Sequence, residues 1–300
     1  MPEDILNIIS SIVPKENIKT KELLKKHTTF RIGGYADFFV SPENNGQLSK
    51  LVKALNDNNI KYYILGNGSN ILAPDEGYEG VIIYIGENMS DIEVSGTKIV
   101  AGAGALLSRT AKEALKCSLA GMEFAAGIPG SIGGAVVMNA GAYGGEMRDI
   151  IVSATVCDRN GNIFILTNEE LELSYRHSII EEKEYIVLEC EINLKKGKAE
   201  DIKAVMDDFS SRRREKQPLE YPSAGSTFKR PTGYFAGKLI EDAGLKGYTV
   251  GGAKVSEKHS GFVINTGNAT AEDVRSLIKY VSEEVYRQFG VVIEPEVKIL

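Results

Sequence analysis

The segment AAGIPGSIGGAVVMNAGAYGGEM, Ala125 to Met147, carries seven glycines in 23 residues. Glycine loses more conformational freedom on folding than any other residue, so this density needs a reason. Two readings are open. Glycines allow tight turns between short strands, and they also let main-chain N–H groups close on the phosphates of a large anionic ligand. In the second reading Ser131 and Asn139 add polar contacts, and GNGSN (Gly66 to Asn70) supplies another wall.

Working outward, two segments invite a dinucleotide reading and fail it. GNGSNI (Gly66 to Ile71) and GAGALL (Gly102 to Leu107) both begin G-x-G after a strand pattern. Neither has the third small residue that close helix packing requires, and the first runs into Ile-Leu-Ala-Pro rather than a helix. GYFAGKL (Gly233 to Leu239) is no P-loop: three residues separate its glycines, and Leu239 stands where a magnesium-binding hydroxyl belongs.

The surrounding chain alternates strands and helices up to about Leu119, which predicts mixed α/β units. Ser41-Pro42 is a helix-start signal, followed by Leu48, Leu51, Val52 and Leu55 at helical spacing. YYIL (62–65), GVIIYI after Gly80 and KIVAGAGA predict strands, and a helix is expected from Leu106 to about Leu119. After Ile150 the texture changes. IVSATVCDRNGNIFILT predicts a hairpin turning at Asn160-Gly161, and Thr167 to Glu170 matches a capping box for a short helix. YIVLECEINLKKG alternates as a strand, and a helix from about Ala199 to Arg214 stops before Pro218. Pro218 to Pro222 marks a boundary. Beyond it lie a helical segment with a glycine stop (GYFAGKLIEDAGLKG), FVIN as a strand, a helix from Thr270 to Phe289, and VVIEPEVKIL as a last strand. The helix carries Val274, Leu277, Ile278, Val281 and Val285 as one apolar stripe.

At 300 residues, with 43% hydrophobic and 25% charged residues, the chain has globular composition. A net charge of −6 argues against nucleic acid as a partner, since a phosphate-binding face should be basic. Cys117, Cys157 and Cys190 lack metal-ligand or redox spacing, as do His27, His177 and His259, so no metal site is expected. Each cysteine falls in an apolar-patterned segment and is expected to be a small buried hydrophobe. The opening MPEDILNIISSIVPKEN predicts a short amphipathic helix ended near Pro14, not a secretory signal. No segment has about 18 unbroken apolar residues, so no membrane span is expected, and a reduced, cytoplasmic setting fits.

In PSAGSTFKRP (Pro222 to Pro231), Ser226 sits among small residues with an aromatic and two cations after it. It is not a G-x-S-x-G elbow. Together with HTTFRIGG, LGNGSN, GIPGSIGGAVVMNAGAYGGE, SYRHS and EPEVKIL, this stretch resembles the UDP-N-acetylenolpyruvoylglucosamine reductase (MurB) family of peptidoglycan synthesis. The resemblance covers nearly the whole chain, with the motifs in the same order.

The resemblance implies an α+β protein: a two-subdomain FAD-binding fold of the vanillyl-alcohol-oxidase type, within residues 1–217 (core about 30–196), and a C-terminal α+β substrate domain, 218–300. It implies FAD as cofactor and NADPH as cosubstrate, with UDP-N-acetylglucosamine enolpyruvate reduced to its lactyl ether. A monomer is expected. Flavin contacts carry over to Arg31, Gly66, Asn67, Gly68, Ser69, Asn70, Gly127, Ile128, Pro129, Gly130, Ser131, Gly134, Asn139 and Gly141. The catalytic arginine, serine and glutamate match Arg176, Ser226 and Glu296.

The residue types suit those tasks. Hydride addition to an enol ether leaves negative charge beside a carboxylate, which needs stabilisation and a proton. Arginine is always cationic and its planar fork suits a carboxylate. A carboxylate in an apolar strand, as at Glu296, should be paired or protonated. Glu294 shares its face in an alternating strand, so periodicity leaves both open; the family position selects Glu296. Tyr175, Arg214, Lys216 and His259 are expected substrate contacts. For Arg214 and Lys216 the competing reading is a charge-complemented helix C-terminus, and for His259 a capped or core histidine.

Two features depart from some family members. The span from Arg176 to Lys216 is too short for an extra tyrosine-bearing loop, which matches the shorter subtype, and Arg230 stands where some members have asparagine. A flavin oxidase of the same fold class would lack the Arg176, Ser226 and Glu296 set, and the intact set argues against a non-catalytic nucleotide-binding module.

Overall fold

The computed structural model describes residues 2–300, with side chains from Glu3 onward. The chain divides into two compact units. The first takes in the chain up to Lys21, Asp37–Asn67 and Glu79–Ser211; the second takes in Glu22–Ala36, Gly68–Tyr78 and Arg212–Leu300. Segments 22–36 and 68–78, expected within the FAD-binding region, thus group with the C-terminal third.

The first unit carries a five-stranded antiparallel sheet in the order Ile163–Thr167, Ile151–Cys157, Ile186–Asn193, Lys98–Gly102, Ile92–Ser95. Alternation sets its faces. Leu188, Cys190 and Ile192 are buried, whereas Glu189 and Glu191 are partly exposed. The hairpin turns where expected. Gly161 has φ +81°, and the Asp158 carboxylate accepts from the N–H groups of Asn160 and Asn162. A second sheet orders Ile18–Leu23, Tyr35–Val40, Tyr78–Tyr84 and Tyr62–Leu65, the last two parallel. Helix Asn45–Asp57 precedes the parallel pair and buries Leu48, Leu51, Val52 and Leu55. Its cap is Asn44, whose side chain accepts from Gln47 N–H, not Ser41; Ser41 lies just past strand Tyr35–Val40 and donates its N–H to the Asn17 carbonyl.

In the second unit Thr249–Val250, Ala253–Val255 and Val263–Asn265 form an antiparallel sheet, with a core shared by helices Ala236–Asp242 and Ala271–Phe289. The stripe from Val274 to Val285 is buried, each side chain contributing about 1.5–3 kcal/mol. Thr270 caps the longer helix in a reciprocal box with Asp273, and Gly290 ends it at φ +67°. The Asp75 carboxylate accepts the Ala271 N–H at 2.8 and 2.9 Å, satisfying a first-turn donor that the helix itself leaves unpaired.

Three local expectations are corrected. Thr167 and Glu170 make the reciprocal capping bonds, yet only a turn follows them. VVIEPEVKIL is mostly irregular: Lys298–Ile299 pair parallel to Ile71–Leu72, and Pro295 makes an isolated antiparallel bridge with Phe228. Cys117 is exposed just past helix Leu107–Lys116, whereas Cys157 and Cys190 are buried. Among the described residues no helix is long and apolar enough to cross a membrane.

Candidate functional site

In the first unit the glycine-rich segment is strapped along residues 103–107. Ile132 and Gly133 donate to the carbonyls of Ala105 and Ala103, and Leu107 donates to Gly130. A Cβ at Gly133 would lie 2.9 Å from the Ala103 Cβ, so close approach of two backbones explains that glycine. Ser131 caps the short helix Ile132–Val137. The end of strand Tyr62–Leu65 meets the same place. A Cβ on Gly66 would come within 2.5 Å of the Ser131 Oγ, and the Asn67 side chain donates to the Pro129 carbonyl. Among the described residues, the N–H groups of Gly66, Asn67, Gly130 and Ser131 have no protein acceptor. Main-chain donors without a protein partner, on two backbones held this closely, suit a pyrophosphate. The residues therefore fit FAD, whose diphosphate Gly66, Asn67 and the 127–134 loop would hold.

Two other expected flavin contacts, Gly141 and Asn139, also have structural roles. Gly141–Ala142 and Gly145–Glu146 form a two-residue hairpin through Tyr143 and Gly144, both at positive φ. Gly141 is crowded there, since a Cβ would meet the Gly145 carbonyl oxygen and the Glu146 Cβ, each at 2.7 Å. Asn139 is fully buried at φ +43°; its amide donates to the Ser174 carbonyl and accepts from Arg148 N–H. Ser174 opens the tight turn that carries Tyr175 and Arg176. The guanidinium of Arg176 lies 5.0 Å from the Tyr175 ring centroid.

In the second unit Thr29 donates its N–H to the Gly68 carbonyl and its hydroxyl to the Ser223 carbonyl, tying the Arg31 loop to both. Arg31 is exposed at φ +55°. Ser226 follows Gly225, which sits at φ +76° with open space where a side chain would be. Thr227 then anchors the segment three ways. Its N–H donates to Gly261, its hydroxyl accepts from Val263 N–H at 2.9 Å, and its carbonyl accepts from Glu296 N–H at 2.7 Å. Phe228 pairs with Pro295, and Lys229 donates to the Glu294 carbonyl. The serine segment and the C-terminal segment thus run antiparallel, with Glu296 beside the residue that follows Ser226.

The two candidate glutamates differ in burial. Glu296 is 8% exposed; the Glu294 side chain is 67% exposed and pairs with Lys229. Asn70 supports Glu296 directly, its side chain donating to the Glu296 carbonyl at 3.0 Å. His259 accepts the Gly261 N–H on Nδ1, which places its own proton on Nε2, and burial lowers its pKa. A Cβ on Gly261 would contact both the His259 ring, at 3.0 Å, and the Ser226 Oγ, at 3.6 Å. Arg214 and Lys216 lie exposed in the last turn of helix Ala199–Lys216, with the Arg214 carbonyl accepting from Lys258 Nζ. The span from Arg176 to that helix holds only Ile179–Glu182, Ile186–Asn193 and Lys195–Lys196.

Sequence reasoning missed Thr227, Gly261 and Ser178. Thr227 and Gly261 bond to each other, and the Ser178 hydroxyl donates to the Val137 carbonyl, so their partners lie far along the chain, where no local spacing exists.

Residues 217–300 match the UDP-N-acetylenolpyruvoylglucosamine reductase C-terminal domain, and residues 36–167 match an FAD binding domain. A UDP-N-acetylenolpyruvoylglucosamine reductase from Caldanaerobacter subterraneus is 52% identical over 300 residues, covering 100% of this chain and 99% of that protein. The chain belongs to the UDP-N-acetylenolpyruvoylglucosamine reductase family. It is an oxidoreductase with FAD as cofactor. The Clostridioides difficile member is 52% identical, covering 99% of this chain and 98% of its own. The solved Thermus caldophilus MurB superposes with a TM-score of 0.82 at 35% identity, over 94% of this chain and 99% of that one. The glucose dehydrogenase Phl p 4.0202 shares the fold alone, with a TM-score of 0.52 at 14% identity over 65% of this chain and 44% of its own.

Proposed function

We propose that this reductase uses NADPH to convert UDP-N-acetylglucosamine enolpyruvate to UDP-N-acetylmuramate, with Ser226 as proton donor. The observation that carries this is the pairing of the Thr227–Lys229 segment with Glu294–Glu296, which sets a buried glutamate beside Thr227, the residue that follows the serine. Residues up to 217 bind FAD and also supply Tyr175, Arg176, Arg214 and Lys216 to the substrate, and 218–300 form the substrate-binding domain.

When bound, FAD supplies the hydride for the terminal carbon of the enol ether. The chain's own residues handle the charge and the proton. Arg176 grips the substrate carboxylate, into which negative charge spreads as the adjacent carbon becomes carbanionic. Ser226 gives that carbon its hydroxyl proton; a hydroxyl is a weak acid, but such a carbon is a strong base. Glu296, buried beside Thr227, is the second group at this edge able to hold a proton. His259 is held neutral as the Nε2–H tautomer, so it offers a hydrogen-bond donor without adding a charge. Tyr175, Arg214 and Lys216 contact the rest of the substrate, and Arg31, Ser69 and Asn70 border the cofactor.

The test is direct. Purified protein supplied with FAD, NADPH and the enolpyruvyl substrate should yield a product heavier by two hydrogens, one of them taken from solvent as deuterium in D2O. Oxidation of NADPH with the substrate recovered unchanged would contradict the proposal.

A further inference from the structure

We infer that Asn139 is the positioning residue of Arg176, tying the turn that carries the arginine to the end of the glycine-rich helix. This rests on the reading that Arg176 grips the substrate carboxylate.

The turn is short and closed on itself. Ser174 N–H donates to the His177 carbonyl at 3.1 Å, His177 N–H donates back at 3.2 Å, and Arg176 sits between them at φ +55°. A side-chain-bearing residue holds that backbone conformation only where its surroundings over-determine it. Here the determinants come from residues 137–148. Asn139 Nδ2 donates to the Ser174 carbonyl at 3.1 Å, on the N-terminal side of the turn. On the C-terminal side, Ser178 Oγ donates to the Val137 carbonyl at 2.6 Å. Arg148 Nη1 reaches the Leu173 carbonyl at 3.4 Å, and Arg148 N–H donates to Asn139 Oδ1 at 2.9 Å.

Asn139 suits this task for two reasons. It has φ +43°, a region asparagine enters more readily than other side-chain-bearing residues. Its amide offers a donor and an acceptor together, whereas aspartate lacks the donor and leucine lacks both. The backbone that lines the cofactor therefore also sets where the arginine stands.

The test uses the FAD-loaded enzyme. Asn139→Gly keeps the left-handed backbone and removes the amide; Ser178→Ala removes the other tie alone. Bound FAD and flavin reduction by NADPH should persist in Ser178→Ala, while reoxidation by the enolpyruvyl substrate slows by about 10- to 100-fold in both variants, as expected for a misplaced group. Equilibrium binding of the enolpyruvyl substrate should weaken, while binding of UDP-N-acetylglucosamine, which has no carboxylate, should not change. In an Arg176→Ala background, Asn139→Gly should add less than about twofold. An equal loss for both sugars, or an undiminished effect in that background, overturns the inference. If Arg176→Ala alone leaves reoxidation intact, the role of Arg176 falls and this inference with it. Should Asn139→Gly not fold, Ser178→Ala is read by the same two outcomes.

Discussion

The backbone N–H of Glu296 donates to the carbonyl of Thr227 across 2.7 Å, bringing a buried carboxylate of the C-terminal segment next to the residue that follows Ser226. These residues lie about 70 positions apart, so the pairing is a property of the fold. It also makes Thr227 an anchor for Ser226: held at its N–H, hydroxyl and carbonyl, it leaves the serine little freedom.

Thr227→Val should therefore matter beyond its size. The substitution leaves the buried Val263 N–H without its 2.9 Å partner. A loss of about 1–3 kcal/mol in stability is expected, measured by urea unfolding. Reoxidation by the enolpyruvyl substrate should slow as well.

Gly133→Ala should loosen the cofactor wall. The new methyl would lie 2.9 Å from the Ala103 Cβ and would push apart two bonded backbones. Overpacking of this kind costs about 1–3 kcal/mol. Titration of the apoprotein with FAD should show weaker binding.

The capping box of helix Ala271–Phe289 predicts an acid-sensitive second unit. Bonds from Thr270 N–H and then Gly252 N–H hold the Asp273 carboxyl below its usual pKa. The stabilisation is thus present above the unfolded value of about 3.9 and is lost as pH falls through the folded value. Asp273→Asn should flatten that part of the stability profile in denaturant titrations. Thr270→Ala should cost about 1 kcal/mol at neutral pH.

His259 adds a dependence at milder pH. Burial lowers its pKa, so the unfolded chain binds its proton more readily than the folded one. Stability should fall as pH drops below about 6.5 and level off below the folded value. His259→Gln should remove that slope in melting temperatures measured from pH 7.5 to 5.

Much of this was legible in the sequence where the signals are periodic or local. The stripe from Val274 to Val285, the Asn160-Gly161 hairpin and the glycine-rich wall each follow from short-range pattern. Segment grouping was not legible: residues 22–36 and 68–78 join the C-terminal third through bonds such as Thr29 to Ser223, which no spacing announces. Nor could alternation separate Glu294 from Glu296, because two residues apart they share a face; burial distinguishes them. The Ser41-Pro42 signal misled because Asn44, three residues on, offers its side chain to Gln47.

The central claim is that Ser226 delivers the proton, and stopped-flow kinetics of the two half-reactions in Ser226→Ala tests it most directly. Flavin reduction by NADPH should stay within about twofold of the unaltered protein, while reoxidation by the enolpyruvyl substrate should fall at least about 100-fold, the scale of a lost general acid. Reoxidation at the unaltered rate would contradict the account.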